Sequence, residues 1–197
     1  MDIQLPEPGH TGSMTVEQAL RLRRSVRSYS DSVITLKALA QLLWAAQGVS
    51  GGGGLRTAPS AGGLYPLELY CVAGAVDGIA AGVYRYVPFG HKLALVIEGE
   101  SRESLAAAAL GQKSVRAGAA SIVIAAVYDR MTGKYSRRGI QYVAMEAGHA
   151  AQNVYLQAAA LGMGTVAIGA FQDEKVRYAV RMRDNETPLY IMPIGPV

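Results

Sequence analysis

Cysteine occurs once in the 197 residues, at Cys71, so no internal disulfide is possible and a reducing, cytoplasmic setting fits. The three histidines, His10, His91 and His149, show no ligand-like spacing, which argues against a metal site. Charge is sparse: 17% of residues are charged and the formal net charge is only +4. That balance tolerates an anionic ligand without demanding nucleic acid. Long uninterrupted apolar runs are missing too. The richest tract, 143–170, is broken by Glu146, His149, Gln152 and Asn153, which a bilayer would have to bury, so it reads as a core or interface helix and not a membrane span. The opening Met1-Asp2-Ile3-Gln4 carries neither the basic nor the apolar region of a secretory signal. Small and apolar residues fill the remainder. Half the chain is apolar, too much for disorder and enough for one full core.

Residues 1–14, with Pro6, Pro8, Gly9 and Gly12, read as a flexible lead-in, and 15–197 as a single α+β domain with no repeat or linker. Thr15-Val16-Glu17-Gln18 has the form of a capping box, opening a helix to about Arg24. Thr35 starts a second helix, closed by Gly48. Strands are expected at 67–73, 83–87, 93–97, 121–127, 165–168 and 189–194, and helices at 102–110, 138–161 and 173–181. The long helix 138–161 is apolar nearly all round, so in so small a chain a second copy is its natural cover, which predicts a homodimer.

Two nucleotide signatures fail on inspection. "LGQKS" ends like a phosphate loop, but Ala106 stands where its first glycine is needed. Gly162-x-Gly164-x-x-Ala167 leaves a helix and enters a strand, the reverse of a dinucleotide fingerprint.

"RLRRSVRSYS", residues 21–30, concentrates four arginines. They could be a solvated basic helix end or a clamp for one phosphate; nucleic-acid binding would require basic residues spread over a surface with aromatics among them. If the helix persists through Arg27, then Arg23, Arg24 and Arg27 share one face, and Ser25 adds a hydroxyl. The loop "PSAGGLYP", Pro59 to Pro66, sets Ala61, Gly62 and Gly63 in a row, so a flat ligand could approach its backbone closely, although an ordinary hairpin entry reads the same way.

Together, "RRSVRSY", "APSAGGLYPLELY" and "YVAMEAGHAAQNVYLQAAALGMGTVAIGAF" resemble three ordered motifs of the nitroreductase superfamily of FMN-dependent oxidoreductases. "GKYSRRGIQYVAMEAGH" is most similar to the branch containing azoline (thiazole/oxazole) dehydrogenases. The resemblance implies a nitroreductase-like fold: a central, mostly antiparallel sheet flanked by helices, with a long buried central helix at a dimer interface. It implies FMN at that interface and NADH or NADPH as electron donor. Arg23, Arg24, Ser25 and Arg27 would contact the phosphate, ribityl chain and pyrimidine edge. Pro59, Ser60, Ala61, Gly62 and Gly63 would line the ring from the other protomer, and Ile168, Gly169 and Ala170 would approach N5.

The implied reaction is ping-pong hydride transfer through FMN N5 to an electron-poor nitroaromatic or quinone. One alternative is dehydrogenation of an azoline or similar heterocycle, with Lys134 as base and Tyr135 orienting or relaying, both placed in a loop. Another is a non-catalytic flavin-binding or scaffold module. The family's basic tail after the last strand is not matched at Ile194-Gly195-Pro196-Val197, leaving Arg137, Arg138 or Arg181 as possible substitutes at the phosphate.

Overall fold

The computed structural model describes residues 2–197. Nine strands and seven α-helices follow in chain order: β1 Asp2–Gln4, α1 Val16–Leu22, β2 Ile34–Thr35, α2 Leu36–Gln47, β3 Leu67–Ala73, β4 Val76–Asp77, β5 Gly82–Val87, β6 Lys92–Glu98, α3 Arg102–Ala108, α4 Lys113–Ala117, β7 Ala120–Ala126, α5 Asp129–Tyr135, α6 Arg138–Ala160, β8 Met163–Thr165, α7 Asp173–Val180 and β9 Thr187–Pro196. Seven strands form one antiparallel sheet in the order β1-β6-β5-β3-β7-β9-β8, and β2 pairs with β4 in a separate short parallel ribbon. This is the α+β arrangement anticipated from the motifs, an antiparallel sheet flanked by helices.

The sheet divides two cores, and the period of two along a strand does the dividing. On β3, Leu67, Leu69, Cys71 and Ala73 join Leu39, Leu43, Val143, Ala147 and Ala150 of α2 and α6. The intervening Tyr70 and Val72 join Leu105, Val115, Val176 and Val180 of α3, α4 and α7. Each wholly buried Leu, Ile or Val contributes about 1.5–3 kcal/mol of transfer free energy, so strands apolar on both faces are strongly held. Burial also pushes the Cys71 thiol up to about 12, leaving it an inert core residue.

The capping box at Thr15 is present: its hydroxyl accepts from Gln18 N, and the Gln18 side chain accepts from Thr15 N. Three features differ from the expectation. The first residues are tied down and do not form a loose lead-in: β1 pairs with β6, Lys92 Nζ lies 2.6 Å from Asp2 Oδ2, Leu5 is buried, and the Gln41 amide bonds both backbone groups of Gly9. Residues 129–135 are helical, not a loop. The strand expected at 165–168 is offset: β8 ends at Thr165, and Ile168 makes a separate bridge to Ile191. Among the described residues no helix is long and apolar enough to cross a membrane.

The segment after α1 lies against β8 and β9. Val26 N donates to Thr165 O and Ser30 N to Pro196 O, while the Tyr29 hydroxyl donates to Val26 O and Pro193 O. Glycines make this seating possible. A Cβ on Gly195 would fall 2.6 Å from both Cβ and Cγ of Tyr29, close to that residue's backbone and with little room to yield. Replacing Gly195 by Ala should therefore overpack the seam and lower stability by about 1–3 kcal/mol, read as a lower urea midpoint with an unchanged slope; an unchanged midpoint would show that the segment is not seated there.

Candidate functional site

The glycine loop folds as a tight turn over Ala61–Gly63, with Gly62 at φ +64° and Gly63 at φ +66°, a backbone region costly for other residues. Ser60 closes it: its Oγ accepts from Tyr65 N at 2.9 Å and its carbonyl accepts from Gly63 N at 3.1 Å. Pro59, Gly62 and Gly63 are exposed, whereas Ser60 and Ala61 are half-buried. Directly beside the turn stands the end of α5. A Cβ on Gly62 would lie 2.7 Å from the Tyr135 hydroxyl and 2.9 Å from Lys134 Nζ, which places the ends of both side chains beside the turn. Tyr135 is braced edge-on by Tyr142 of α6, with ring centroids 5.1 Å apart. Lys134 and Tyr135 thus meet the glycine turn as a pair, but they do so from a helix, and Lys134 is exposed rather than desolvated within one chain.

The arginine segment takes a different form from the helical face anticipated. The helix α1 ends at Leu22 with Arg23 as its cap, and the chain continues extended, with Ser25 bridging Thr165. Val26 decides this: it packs against Gly164, where a Cβ would fall 2.6 Å from a Val26 methyl, and that contact requires the chain to leave the helix. The Arg23 guanidinium lies over the Tyr155 ring, 5.2 Å from its centroid, and Ser25 Oγ shares a 3.0 Å hydrogen bond with the Tyr155 hydroxyl. Arg24 donates to the carbonyls of Arg21 and Arg23. Among the described residues, Arg21, Arg23, Arg24 and Arg27 have no carboxylate within salt-bridge distance, whereas Arg85, Arg102, Arg116, Arg130 and Arg177 do.

Tyr155 also accepts from Ala167 N at 2.8 Å, which joins the arginine segment to the third predicted stretch. There Ile168 is buried and exchanges two 2.9 Å backbone hydrogen bonds with Ile191, whereas Gly169 and Ala170 are exposed. The arginine segment and the 166–170 loop therefore form one cluster. The glycine turn forms a second, tied to α6 near residues 142–146. Glu146 and Tyr155 are nine positions apart, so the two clusters attach to α6 roughly 13 Å apart along its axis. Of the basic substitutes considered for the phosphate, Arg138 lies over Tyr142 near the glycine turn, and Arg181 caps α7 on the other side of the sheet.

Two further features carry little sequence signal. Tyr155 sits in an apolar helix with nothing local to mark it. Glu146, 2% exposed, has both carboxylate oxygens without a hydrogen-bond partner, and around it lie Gln47 with an unpartnered Nε2 and Arg56 with an unpartnered Nε. Arg56 donates to Gln47 Oε1 at 2.9 Å and lies over the Tyr65 ring. Burial raises the Glu146 carboxyl to about 7; Ser60, Arg56 and Gln47 stand close enough to oppose the shift, the two hydrogen-bonding side chains without completing a bond of good geometry. The only sequence trace of this cluster is a lone acid in an apolar helix.

Residues 20–196 match the model of the nitroreductase family. The chain is 44% identical over 195 residues to a protein of Methanocaldococcus jannaschii provisionally named a nitroreductase, covering 99% of this chain and 96% of that one. Its structure is similar to one provisionally assigned as a nitroreductase from Ralstonia eutropha JMP134, with TM-score 0.86, 31% identity, and 100% of this chain and 89% of the other covered. A chain of the Escherichia coli microcin synthetase McbBCD complex with truncated pro-MccB17 bound shares the fold at TM-score 0.77 and 22% identity, over 98% of this chain and 77% of that one.

The raised Glu146 pKa fixes a sign for stability against pH. A carboxyl that ionises later in the folded chain than in the unfolded one stabilises the fold while protonated and loses that contribution as pH rises from about 4.5 to about 7. The loss is at most about 3 kcal/mol. Urea unfolding should show stability falling through that window in the wild type and a flatter profile for Glu146→Gln; parallel profiles would contradict the burial argument.

Proposed function

Since this chain belongs to the nitroreductase family and is an oxidoreductase, we propose that it works as a homodimer with FMN as its cofactor, electrons from NADH or NADPH, and an electron-poor acceptor of nitroaromatic or quinone type. When bound, FMN would supply the two-electron redox chemistry between donor and acceptor, and the residues of this chain would hold and orient it.

The observation that carries this reading is the acid-free arginine segment. Several guanidiniums without carboxylate partners, seated on a rigid seam beside a hydroxyl, suit a terminal phosphate. Arg23, Arg24 and Arg27 would hold the phosphate, with Ser25 at the ribityl chain. The turn 59–63 fits a flat ring, because Gly62 and Gly63 expose backbone where a side chain would project. The exposed backbone of Gly169 and Ala170, with Ile168 behind it, would face the reactive edge.

The two clusters attach at different points of α6, and in this reading a partner's glycine turn completes each site. The surface suits a partner: Val16, Leu20 and Leu22 of α1 and Ile140 and Met145 of α6 are 49–65% exposed. In this reading residues 15–197 act as one flavin-binding unit.

A second reading keeps the cofactor and reverses the electron flow, oxidising an azoline-type heterocycle. The observation favouring it is the contact of Lys134 and Tyr135 with Gly62, which sets a base and a hydroxyl beside the ring-lining turn.

Replacing Arg23 and Arg27 together by Ala should weaken FMN about 10–100-fold and leave riboflavin, which lacks the phosphate, nearly unaffected in fluorescence titrations; an equal loss for both ligands would remove the arginines from the phosphate. Lys134→Ala should leave NAD(P)H-driven nitroaromatic reduction nearly intact. The same variant should abolish azoline oxidation if that is a natural reaction, and survival of both activities would exclude Lys134 as the base.

A further inference from the structure

Glu146 takes no part in the chemistry proposed above, yet it is buried beside the turn that would line the ring. Ser60, Gln47 and Arg56 supply the donors and acceptors around it, and the unpartnered Arg56 Nε–H can donate to Glu146 in either protonation state. The Gln47 Oε1 is taken by Arg56, so the Gln47 Nε2 protons remain to be given. One lone pair of Ser60 Oγ is taken by Tyr65 N. Ser60 then has one lone pair and one proton left, and Glu146 has two empty oxygens. A carboxylate would draw the Ser60 proton inward, because an ionised acid only accepts. A neutral acid would instead donate to the remaining Ser60 lone pair and accept from Gln47, leaving the Ser60 O–H free to turn outward.

We infer that Glu146 is a positioning residue for the 59–63 turn: as a neutral acid it releases the Ser60 hydroxyl proton toward a ligand on that turn, and as a carboxylate it withdraws it. The ligand is the flavin proposed above, and the inference rests on that reading for its ligand alone. The charged group facing Glu146 is Arg56, from the loop before the turn; Arg56 is itself flanked by Glu68 of β3, Arg130 of α5 and the Tyr65 hydroxyl. From α2 comes the neutral Gln47, and on α6 the next turn carries His149, which is exposed. Burial outweighs Arg56 and sets the exchange near neutral pH, where a change of state has consequence.

The test has two arms. In flavin-free protein, the backbone amide signals of Ser60 and Tyr65 should titrate with a midpoint near 7 and stay flat in Glu146→Gln, whose amide donates as the neutral acid does. Flat signals in the wild type, or the same titration in the variant, overturn the inference. In the second arm, riboflavin is the probe, because the FMN phosphate titrates in the same range. Its affinity should fall about tenfold from pH 6 to pH 8 in the wild type and remain constant in Glu146→Gln and Ser60→Ala. A Glu146→Gln chain that fails to fold leaves the Ser60→Ala comparison decisive: an unchanged pH dependence there overturns the inference. Amides that titrate in a protein that binds no flavin sustain the Glu146–Ser60 switch and remove the cofactor reading. Tight riboflavin binding that ignores pH does the reverse.

Discussion

Both halves of the candidate site are referred to one rigid object, the helix Arg138–Ala160. Its inward stripe of Val143, Ala147, Ala150, Ala151, Val154 and Ala158 locks it to the sheet and to α2. Side chains at its margins then do the positioning. Tyr142 braces Tyr135 against the glycine turn, Glu146 lies behind Ser60, and Tyr155 ties the arginine segment to the 166–170 loop. A helix anchored along its whole length fixes these attachments relative to one another. It also sets them at different points along its length.

Electrostatics distinguish the two attachments. At the arginine segment, cations on an exposed seam are left without acids. Around Arg85 and Arg130 the opposite holds. Glu68 takes Arg85 at 2.6 Å and Arg130 at 2.6 Å, with Glu186 3.8 Å from Arg85 and buried. Those charges are committed to each other, and breaking one pair would strand another in a poorly solvated place. Counting arginines alone would not separate a paired network from an unpaired one.

Much of the scaffold was legible because its signals are local. Alternation bounded by Gly and Pro located β3 at 67–73, and Thr35 and Gly48 bracketed α2. What was missed depends on distant partners. The helix α5 holds Gly133 and three charged residues, and its packing comes from buried Met131 and from Gly139, where a Cβ would meet the Met131 backbone at 2.9 Å. The arginine segment leaves the helix because Val26 has a groove at Gly164, more than a hundred residues away. The candidate residues Lys134 and Tyr135 were picked out by motif, while the helix that carries them was not. Tyr155 and the Gln47–Arg56–Glu146 group have no pattern in sequence, since each is defined by partners on other elements.

The central claim is that two chains jointly enclose one FMN per subunit, with the arginines of one and the glycine turn of the other. Sedimentation of the FMN-saturated protein, followed simultaneously in the protein and flavin absorption bands, tests it most directly. The account predicts flavin moving with a dimer at one per chain, and free FMN left behind when charged substitutions at Ile140 and Met145 split that dimer. Flavin carried at full stoichiometry by a monomer, or a dimer that takes up none, would contradict it.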